Sequence, residues 1–343
     1  MRVAVLGAAG VVGREMLRTL EERSFPTSDL VALASPRSEG RRLGFAGGRA
    51  VVRAVSDESF QGVDLALFSA GATASREWAP RAVEAGAVVV DNSSAFRMDP
   101  AVPLVIPEIN AEALAAHRGI VANPNCTAIT ALMAVAPLHR VAGLASMVVS
   151  SYQSVSGAGR RGVQELLEQV EKLRGQEEEL ARPDPASLPA GEMFGRTIAY
   201  NVIPRGGTFE PQGTTSEEAK LVGESRKILG LPELPVAATV VRVPVVVGHS
   251  VSVYATFDRD IDPHEARVAL AGTPGVKVVD DPAADLFPTA VDAAGRDEVL
   301  VGRVRRPEGQ PRALLLFAAG DNLRKGAALN AVQIAERLTA AST

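Results

Sequence analysis

One cysteine, Cys126, and four histidines are the side chains best suited to covalent chemistry in this 343-residue chain. Cys126 lies in Asn123-Pro124-Asn125-Cys126-Thr127, ahead of an apolar, helix-like segment from Thr127 to His139. A helix N-terminus carries partial positive charge and favours a thiolate. Pro124 and Asn125 are residue types that suit such a start. With a nicotinamide nearby, a thiolate here would serve aldehyde oxidation or acyl reduction through a thioester. Taken alone, the motif favours an idle buried thiol, because free cysteine is among the most buried residue types.

A thiol nucleophile needs a base. His117 sits in a polar stretch, His139 ends the helix that Cys126 begins, and His264 falls at a surface helix start. His249 differs: in Arg242-Val243-Pro244-Val245-Val246-Val247-Gly248-His249-Ser250 an apolar run stops at a glycine just before it. That placement suits a positioned base, or equally a half-buried histidine with its hydrogen bonds satisfied. A hydride carrier is suggested at the N-terminus. Gly7-Ala8-Ala9-Gly10-Val11-Val12-Gly13 spaces its glycines as G-x-x-G-x-x-G, a variant of the dinucleotide fingerprint. Such a turn lets backbone N–H groups approach a pyrophosphate at the helix start. The second strand ends in Ser35-Pro36-Arg37-Ser38, with no acidic residue for a ribose 2′-hydroxyl. A guanidinium flanked by hydroxyls suits a 2′-phosphate, so NADP is expected over NAD; the other reading of Arg37 is a solvated loop arginine.

Those residues need a scaffold, and the first part of the chain alternates strand and helix patterns. Strands are expected at 2–6, 30–34, 51–52, 63–70 and 87–90, with helices at 12–23 and 78–85. Strands separated by helices imply a doubly wound parallel sheet. Near residue 143 the texture changes. A strand opens at Met147, a turn follows at Ser154 to Gly159, and Val163, Leu166, Leu167, Val170 and Leu173 fall on one helix face. Residues 177–189 read as a surface loop, 198–203 as a strand, and 216–229 as a helix capped by Ser216. Strand-like runs at 237–247, 250–257, 276–279, 299–303 and 313–317 suggest an α+β domain on a mostly antiparallel sheet. An amphipathic helix at 322–338 closes the chain.

Composition narrows the function class. Hydrophobic residues make up 46% and charged residues 22%, ordinary for a globular protein large enough for two domains. A net charge of −4 gives no electrostatic reason to expect nucleic acid. One cysteine argues against a disulfide framework and a thiolate metal site, and fits a reducing cytoplasm. No signal peptide and no membrane-length apolar run is apparent.

Four motifs together resemble aspartate-semialdehyde dehydrogenases of the bacterial type. They are Asn123 to Thr127; Ser151-Tyr152-Gln153-Ser154-Val155-Ser156-Gly157-Ala158-Gly159; Arg242 to Ser250; and Asp321-Asn322-Leu323-Arg324-Lys325-Gly326-Ala327-Ala328-Leu329-Asn330. The resemblance runs from the N-terminus to the last helix. It implies a Rossmann-like NADP-binding domain at 1–125, a catalytic and dimerisation domain at 126–321, a C-terminal helix within 322–343 that packs back on the first domain, and a homodimer. It implies NADPH-dependent reduction of L-aspartyl 4-phosphate to L-aspartate 4-semialdehyde and phosphate, towards lysine, threonine, methionine and diaminopimelate. By motif, Cys126 matches the nucleophile and His249 the acid/base. Gln153 matches the glutamine that positions substrate, Arg242 the arginine for the α-carboxylate, and Glu217 the glutamate for the α-amine. Arg97 and Lys220 match the phosphate-binding cations, with Asn125 beside the thiol helping to hold charge. Gly7, Ala9, Gly10, Val11, Val12, Gly13, Ser35, Arg37, Ser38, Ser156, Gly157 and Asn322 match positions at the cofactor.

The chemistry of these residue types agrees with the implied roles. A guanidinium can grip a carboxylate bidentately, a carboxylate can pair with an ammonium, and Arg97 and Lys220 can meet phosphate by fork and by point charge. Glu217 and Lys220 share a helix face, which alone would suggest a surface ion pair. Glu218 competes with Glu217 for the amine. Two departures from the family pattern stand out: Ala9 where threonine is frequent, and the glycine-rich Arg205-Gly206-Gly207-Thr208-Phe209. The rival readings are an N-acetyl-γ-glutamyl-phosphate reductase and a catalytically inert relative. The first has no use for a glutamate aimed at ammonium; the second has no reason to keep Cys126, Gln153, Arg242 and His249 together.

Overall fold

The computed structural model describes residues 1–340. Short apolar runs at the start of the chain form a parallel sheet buried on both faces, as continuous hydrophobic strands require. Its strands are β1 (Arg2–Leu6), β2 (Asp29–Ala34), β5 (Arg53–Ala54), β6 (Leu65–Phe68), β7 (Val88–Asp91) and β8 (Ile120–Ala122), in the order β5-β2-β1-β6-β7-β8. A small hairpin, β3 (Arg42–Phe45) and β4 (Gly48–Val51), stands beside it. Helices α1 (Val11–Glu22) and α2 (Ala72–Glu84) follow β1 and β6, and the one-turn α3 (Pro107–Asn110) leads towards β8. Helix α2 begins six residues before the apolar pattern suggests. The face it buries is made of Ser75, Ala79 and Ala82, too small to stand out in a hydrophobicity pattern.

Helix α4 (Cys126–Ala142) connects this sheet to a second one. Its residues Thr127 to Leu138 are all buried, as expected for a helix apolar all round. The second sheet comprises β9 (Leu144–Gln153), β10 (Val236–Arg242), β11 (His249–Phe257), β12 (Val276–Val278), β13 (Val299–Arg305) and β14 (Ala313–Gly320), in the order β10-β9-β11-β14-β13-β12. The three inner pairs are antiparallel and the two edge pairs parallel. Helices α5 (Gly159–Lys172), α6 (Glu177–Leu180), α7 (Ser216–Leu229), α8 (Pro263–Ala271) and α9 (Ala290–Ala293) fill the connections. The segment read as a loop from 177 therefore opens with one helical turn.

Several expectations shift by a few residues, each for a local reason. Residues 198–203 are not a strand. The Gln169 side-chain oxygen accepts from the N–H groups of Ile198 and Ala199, and only Ile203 bridges Arg242. Thr215, not Ser216, caps α7: Thr215 and Glu218 form a reciprocal capping box, while the Ser216 hydroxyl accepts from the Thr208 N–H. Strand β10 stops at Arg242, and the chain turns through Val243 to Gly248 before β11. The final α-helix, α10 (Leu329–Ala340), is entered through a π-helical turn, Arg324–Ala328, so Asn322 precedes the helix; residues 341–343 lie outside the described ones. Residues Ala328, Ala331, Val332, Ile334 and Ala335 share a core with Val3, Val5, Met16 and Leu20 of the first sheet and α1.

Candidate active site

Strand register brings the second sheet's chemistry to one end. Gln153, the last residue of β9, pairs alongside Arg242, the last of β10. His249, the first residue of β11, sits opposite Gly320 at the end of β14. Gly248 at φ +98° makes that entry possible, since any Cβ there would overlap the Ala290 carbonyl. Cys126 begins α4, capped by Asn125, whose side-chain oxygen accepts from the Thr127 N–H at 2.9 Å. A cavity of about 300 Å³ is lined by Cys126, His249, Gln153, Arg242, Arg97, Glu217, Lys220 and Asn125. Val12, Ser156, Gly157 and Asn322 also line it.

The sole thiol is partly accessible through that cavity. The helix start does not make it acidic. Burial and the charge of Glu217 push Cys126 up to about 11, against the opposing pull of Arg97, Arg242 and the Thr127 N–H. The free site therefore holds a thiol, where the helix position alone favours a thiolate. His249 is buried, and burial followed by the Arg242 charge holds its pKa well below the usual histidine range. Its Nδ1 accepts from the Ser154 N–H at 3.1 Å, which leaves the proton of the neutral ring on Nε2. Nε2 has no partner in the chain among the described residues. Gly157 keeps space in front of it: a Cβ there would stand 3.1 Å from Nε2 and 3.0 Å from Arg242 Nη1. Asn322 orders this corner. Its Oδ1 accepts from Gly248 N–H and Ser154 Oγ, and its Nδ2 donates to Ser156 Oγ.

Side chains of both charges surround the thiol. Arg242 is half-buried and donates to the Ser154 carbonyl at 2.7 Å. Among the described residues no carboxylate lies within 4.0 Å of it. Glu217 accepts from Lys220 Nζ at 2.6 Å and from Asn125 Nδ2 at 2.8 Å. Burial alone would raise its pKa, but Lys220, Asn125 and Arg97 outweigh that and keep it low. Glu218 is excluded from the cavity, because its two oxygens serve the α7 cap and the Val240 N–H. Gln153 donates to Thr127 Oγ1 at 2.7 Å, which ties β9 to the first turn of α4.

The glycine turn has the shape that a dinucleotide requires. Gly7 adopts φ +91° with its N–H bonded to the Leu33 carbonyl, and a Cβ on Gly13 would overlap the Gly7 carbonyl oxygen. Gly10 caps α1 without a side-chain bond, and the first turn, which includes Val11 and Val12, holds no acidic residue, so its N–H groups face outward for an anion. Ala9 lies in the same turn. Ser35, Arg37 and Ser38 stand beyond β2 in a short exposed 3-10 turn, away from the cavity itself.

Several residues at the site carry no sequence signature of their own. Asn92, Ser93 and Ser94 after β7, and Gly71 and Ala72 at the start of α2, also line the cavity. Gly326 of the π-turn packs so closely on Cys126 that a Cβ would stand 2.9 Å from the Cys126 Cβ. Asn123 bonds both Asn92 and Asn330 beneath the nucleophile loop. Buried Glu224 pairs with Arg97 at 3.0 Å. The available signal was helical spacing: Glu224 falls seven residues after Glu217, on the same face of α7.

Comparison with known proteins agrees with this geometry. Two family models match, "Semialdehyde dehydrogenase, NAD binding domain" over residues 2–117 and "Semialdehyde dehydrogenase, dimerisation domain" over residues 135–325. The aspartate-semialdehyde dehydrogenase of Aquifex aeolicus is 46% identical over 340 residues, covering 98% of this chain and 97% of that protein. That of Bacillus subtilis is 45% identical over the same length, with the same coverage. The crystal structure of aspartate semialdehyde dehydrogenase II from Vibrio cholerae superposes with a TM-score of 0.92 at 44% identity, covering 99% of this chain and 98% of that one, and that enzyme has also been solved complexed with ASA. By sequence, by fold and by the residues gathered around Cys126, the chain belongs to the aspartate-semialdehyde dehydrogenases, oxidoreductases of amino-acid biosynthesis.

Proposed function

We propose that the cavity interconverts L-aspartyl 4-phosphate and L-aspartate 4-semialdehyde, with release or uptake of phosphate, through a thioester on Cys126 and with NADP as the preferred cofactor. The observation that carries the reading is a half-buried arginine, Arg242, with no carboxylate beside it among the described residues, in one cavity with the sole cysteine, a histidine whose Nε2 has no partner among them, and the acid–base pair Glu217–Lys220. Arg242 would take the substrate α-carboxylate and Glu217 its ammonium, while Arg97 and Lys220 would meet the phosphate. Gln153, anchored to the turn that carries the thiol, would orient the reacting acyl group. A glutamate waiting for an ammonium favours this substrate over an N-acylated one.

The α1 turn, Arg37 with Ser35 and Ser38, and the Ser156–Gly157 corner would hold the dinucleotide, which supplies hydride when bound. The chain supplies nucleophile and proton transfer. Sulfur adds to the acyl carbon, and the C–O bond to phosphate breaks to leave the thioester. In the tautomer of His249 that carries its hydrogen on Nδ1, where Ser154 Oγ at 3.1 Å can accept it, Nε2 offers a lone pair that takes the thiol proton and returns it to oxygen at the thiohemiacetal stage. Ser154 can serve both states of the ring, because its N–H donates to Nδ1 and its Oγ, 3.1 Å from Nδ1, can accept from it. The N–H of Cys126, at the first helical position, has no acceptor within the helix and is suited to an oxyanion. The thiol's high pKa fits a proton that leaves as the substrate arrives, rather than a standing thiolate. The reading further makes the protein a cytoplasmic homodimer.

The deciding assay is NADPH formation from aspartate semialdehyde, with and without phosphate and with NADP⁺ against NAD⁺. Phosphate-dependent reduction of NADP⁺ in preference to NAD⁺ is expected. Turnover with the N-acetylglutamyl semialdehyde instead, or none with either substrate, would overturn the reading.

A further inference from the structure

We propose that Glu224 is a positioning residue that aims Arg97 at the substrate phosphate and, with its other oxygen, fixes the loop that presents Cys126. This assignment rests on the functional reading above, in which Arg97 grips phosphate. Glu224 is fully buried, behind Arg97, and does not line the cavity. Its Oε1 accepts from Arg97 Nη1 at 3.0 Å, and its Oε2 accepts from the Asn125 N–H at 2.6 Å. One carboxylate thus joins the phosphate arginine to the residue preceding the nucleophile.

Counting donors shows what the arrangement achieves. A guanidinium has five N–H groups. Arg97 commits Nε to the Asn123 carbonyl at 2.9 Å, one Nη1 hydrogen to Glu224 and one Nη2 hydrogen to the Asn92 carbonyl at 2.9 Å. One hydrogen remains on each terminal nitrogen, the pair that can form a fork on an anion. Without Glu224 the plane of that fork loses the one charged anchor it has among the described residues. Lys227, three residues further along the same face of α7, secures the backbone. Its Nζ donates to the carbonyls of Arg97 and Asp99 at 2.7 Å and of Val102 at 2.8 Å. Glu217 and Lys220 at the cavity, then Glu224 and Lys227 behind it, make one face of α7 the template for the phosphate end of the site.

The test uses the full-length protein carrying Glu224→Gln. The amide must turn its NH₂ towards either Arg97 or the Asn125 N–H, donor against donor. Phosphate KM in the NADPH-forming direction should rise at least about tenfold. NADP⁺ binding should stay within about twofold, since the α1 turn is untouched. The phosphate effect should largely vanish in an Arg97→Ala background, because both changes remove the same fork. Glu224→Asp, which keeps the charge, should restore part of the loss. A phosphate KM within about twofold of the wild type, or an effect additive with Arg97→Ala, would overturn the assignment. Should Glu224→Gln fail to fold, the same comparison with Glu224→Asp and Lys227→Met decides: a raised phosphate KM supports the role and an unmoved one refutes it. If the wild-type protein itself shows no phosphate dependence, the functional reading falls and this role falls with it; an unmoved KM against a phosphate-dependent wild type removes the Glu224 role alone.

Discussion

Cys126 and Glu217 set the acid–base state of the free site between them. After burial, the Glu217 carboxylate is the largest influence raising the thiol, while Arg97 and Arg242 draw it down. Removing that negative charge removes an upward push, so Glu217→Gln should move the thiol pKa below about 11. With one cysteine in the chain, alkylation by iodoacetamide reports it without background. At pH 8 the alkylation rate of the variant should exceed the wild-type rate roughly 3–10-fold, since rate follows thiolate fraction. An unchanged rate would mean that Glu217 does not govern the thiol. Arg37 raises a separate question of specificity. It is exposed beyond β2, where an acidic residue would serve a ribose hydroxyl. Arg37→Ala should therefore weaken NADP⁺ binding by roughly tenfold or more while leaving NAD⁺ nearly unchanged, as measured by titration calorimetry with each dinucleotide. Equal losses would assign it to the surface.

At the scale of elements, the π-turn Arg324–Ala328 presses on the start of α4, with Gly326 against Cys126. π-turns interrupt helices where a backbone must be re-aimed, often at functional sites. An added methyl would crowd both the Cys126 Cβ and the Asp321 carbonyl, so Gly326→Ala should displace the nucleophile. A shift of about 1 Å at a reacting atom can cost about 100-fold in kcat, whereas overpacking costs about 1–3 kcal/mol of stability. Turnover and thermal melting of this variant should therefore diverge, with activity falling far more than Tm. This turn also marks the limit of what the sequence made legible. The apolar runs of β1, β6 and β7 and the glycines of the α1 turn could be read directly, because burial and backbone geometry dictate those residue types. Cys126, His249, Gln153 and Arg242 were placed by motif, and register brings them to one cavity. The π-turn reads as ordinary helix in the sequence, since its residues keep helical composition and only the hydrogen bonds differ, as in Ala328 N–H to the Leu323 carbonyl. Glu224 escaped notice because a glutamate on an amphipathic helix normally faces water, and nothing local announces a buried partner 127 residues away.

Across the whole molecule, the site depends on contacts that join the two sheets. Arg324, nearly buried, bonds Glu15 and Glu22 of α1 and Asp297 ahead of β13, and Lys325 is enclosed by Glu108, Asn330 and Gln333. Among the described residues no helix is long and apolar enough to cross a membrane. Helix α9 covers the Leu300–Ala319 end of the second sheet's outer face, while the β9 end is open in a single chain. Tyr152 and Val148 are exposed there, and the Tyr152 and Phe317 rings lie 6.1 Å apart across β11. Beside them Phe287, Pro288 and Phe317 border an apolar hollow. Aromatic patches of this kind are characteristic of interfaces, and the region falls within the matched dimerisation domain. Strand alternation gives this face a direct link to the chemistry, since Tyr152 points outward while its neighbour Gln153 enters the cavity. Phe317→Asp would place a charge in the centre of a dimer built on this face, leaving the cavity residues in place. Light scattering should then report a monomer's mass where the wild type gives twice that. Because β9 loses its cover on one side, kcat should fall with the dimer, by roughly tenfold, and recover as protein concentration drives reassociation. A variant that remains dimeric would assign the interface to another face, and a fully active monomer would show that Gln153 holds its position without the second copy.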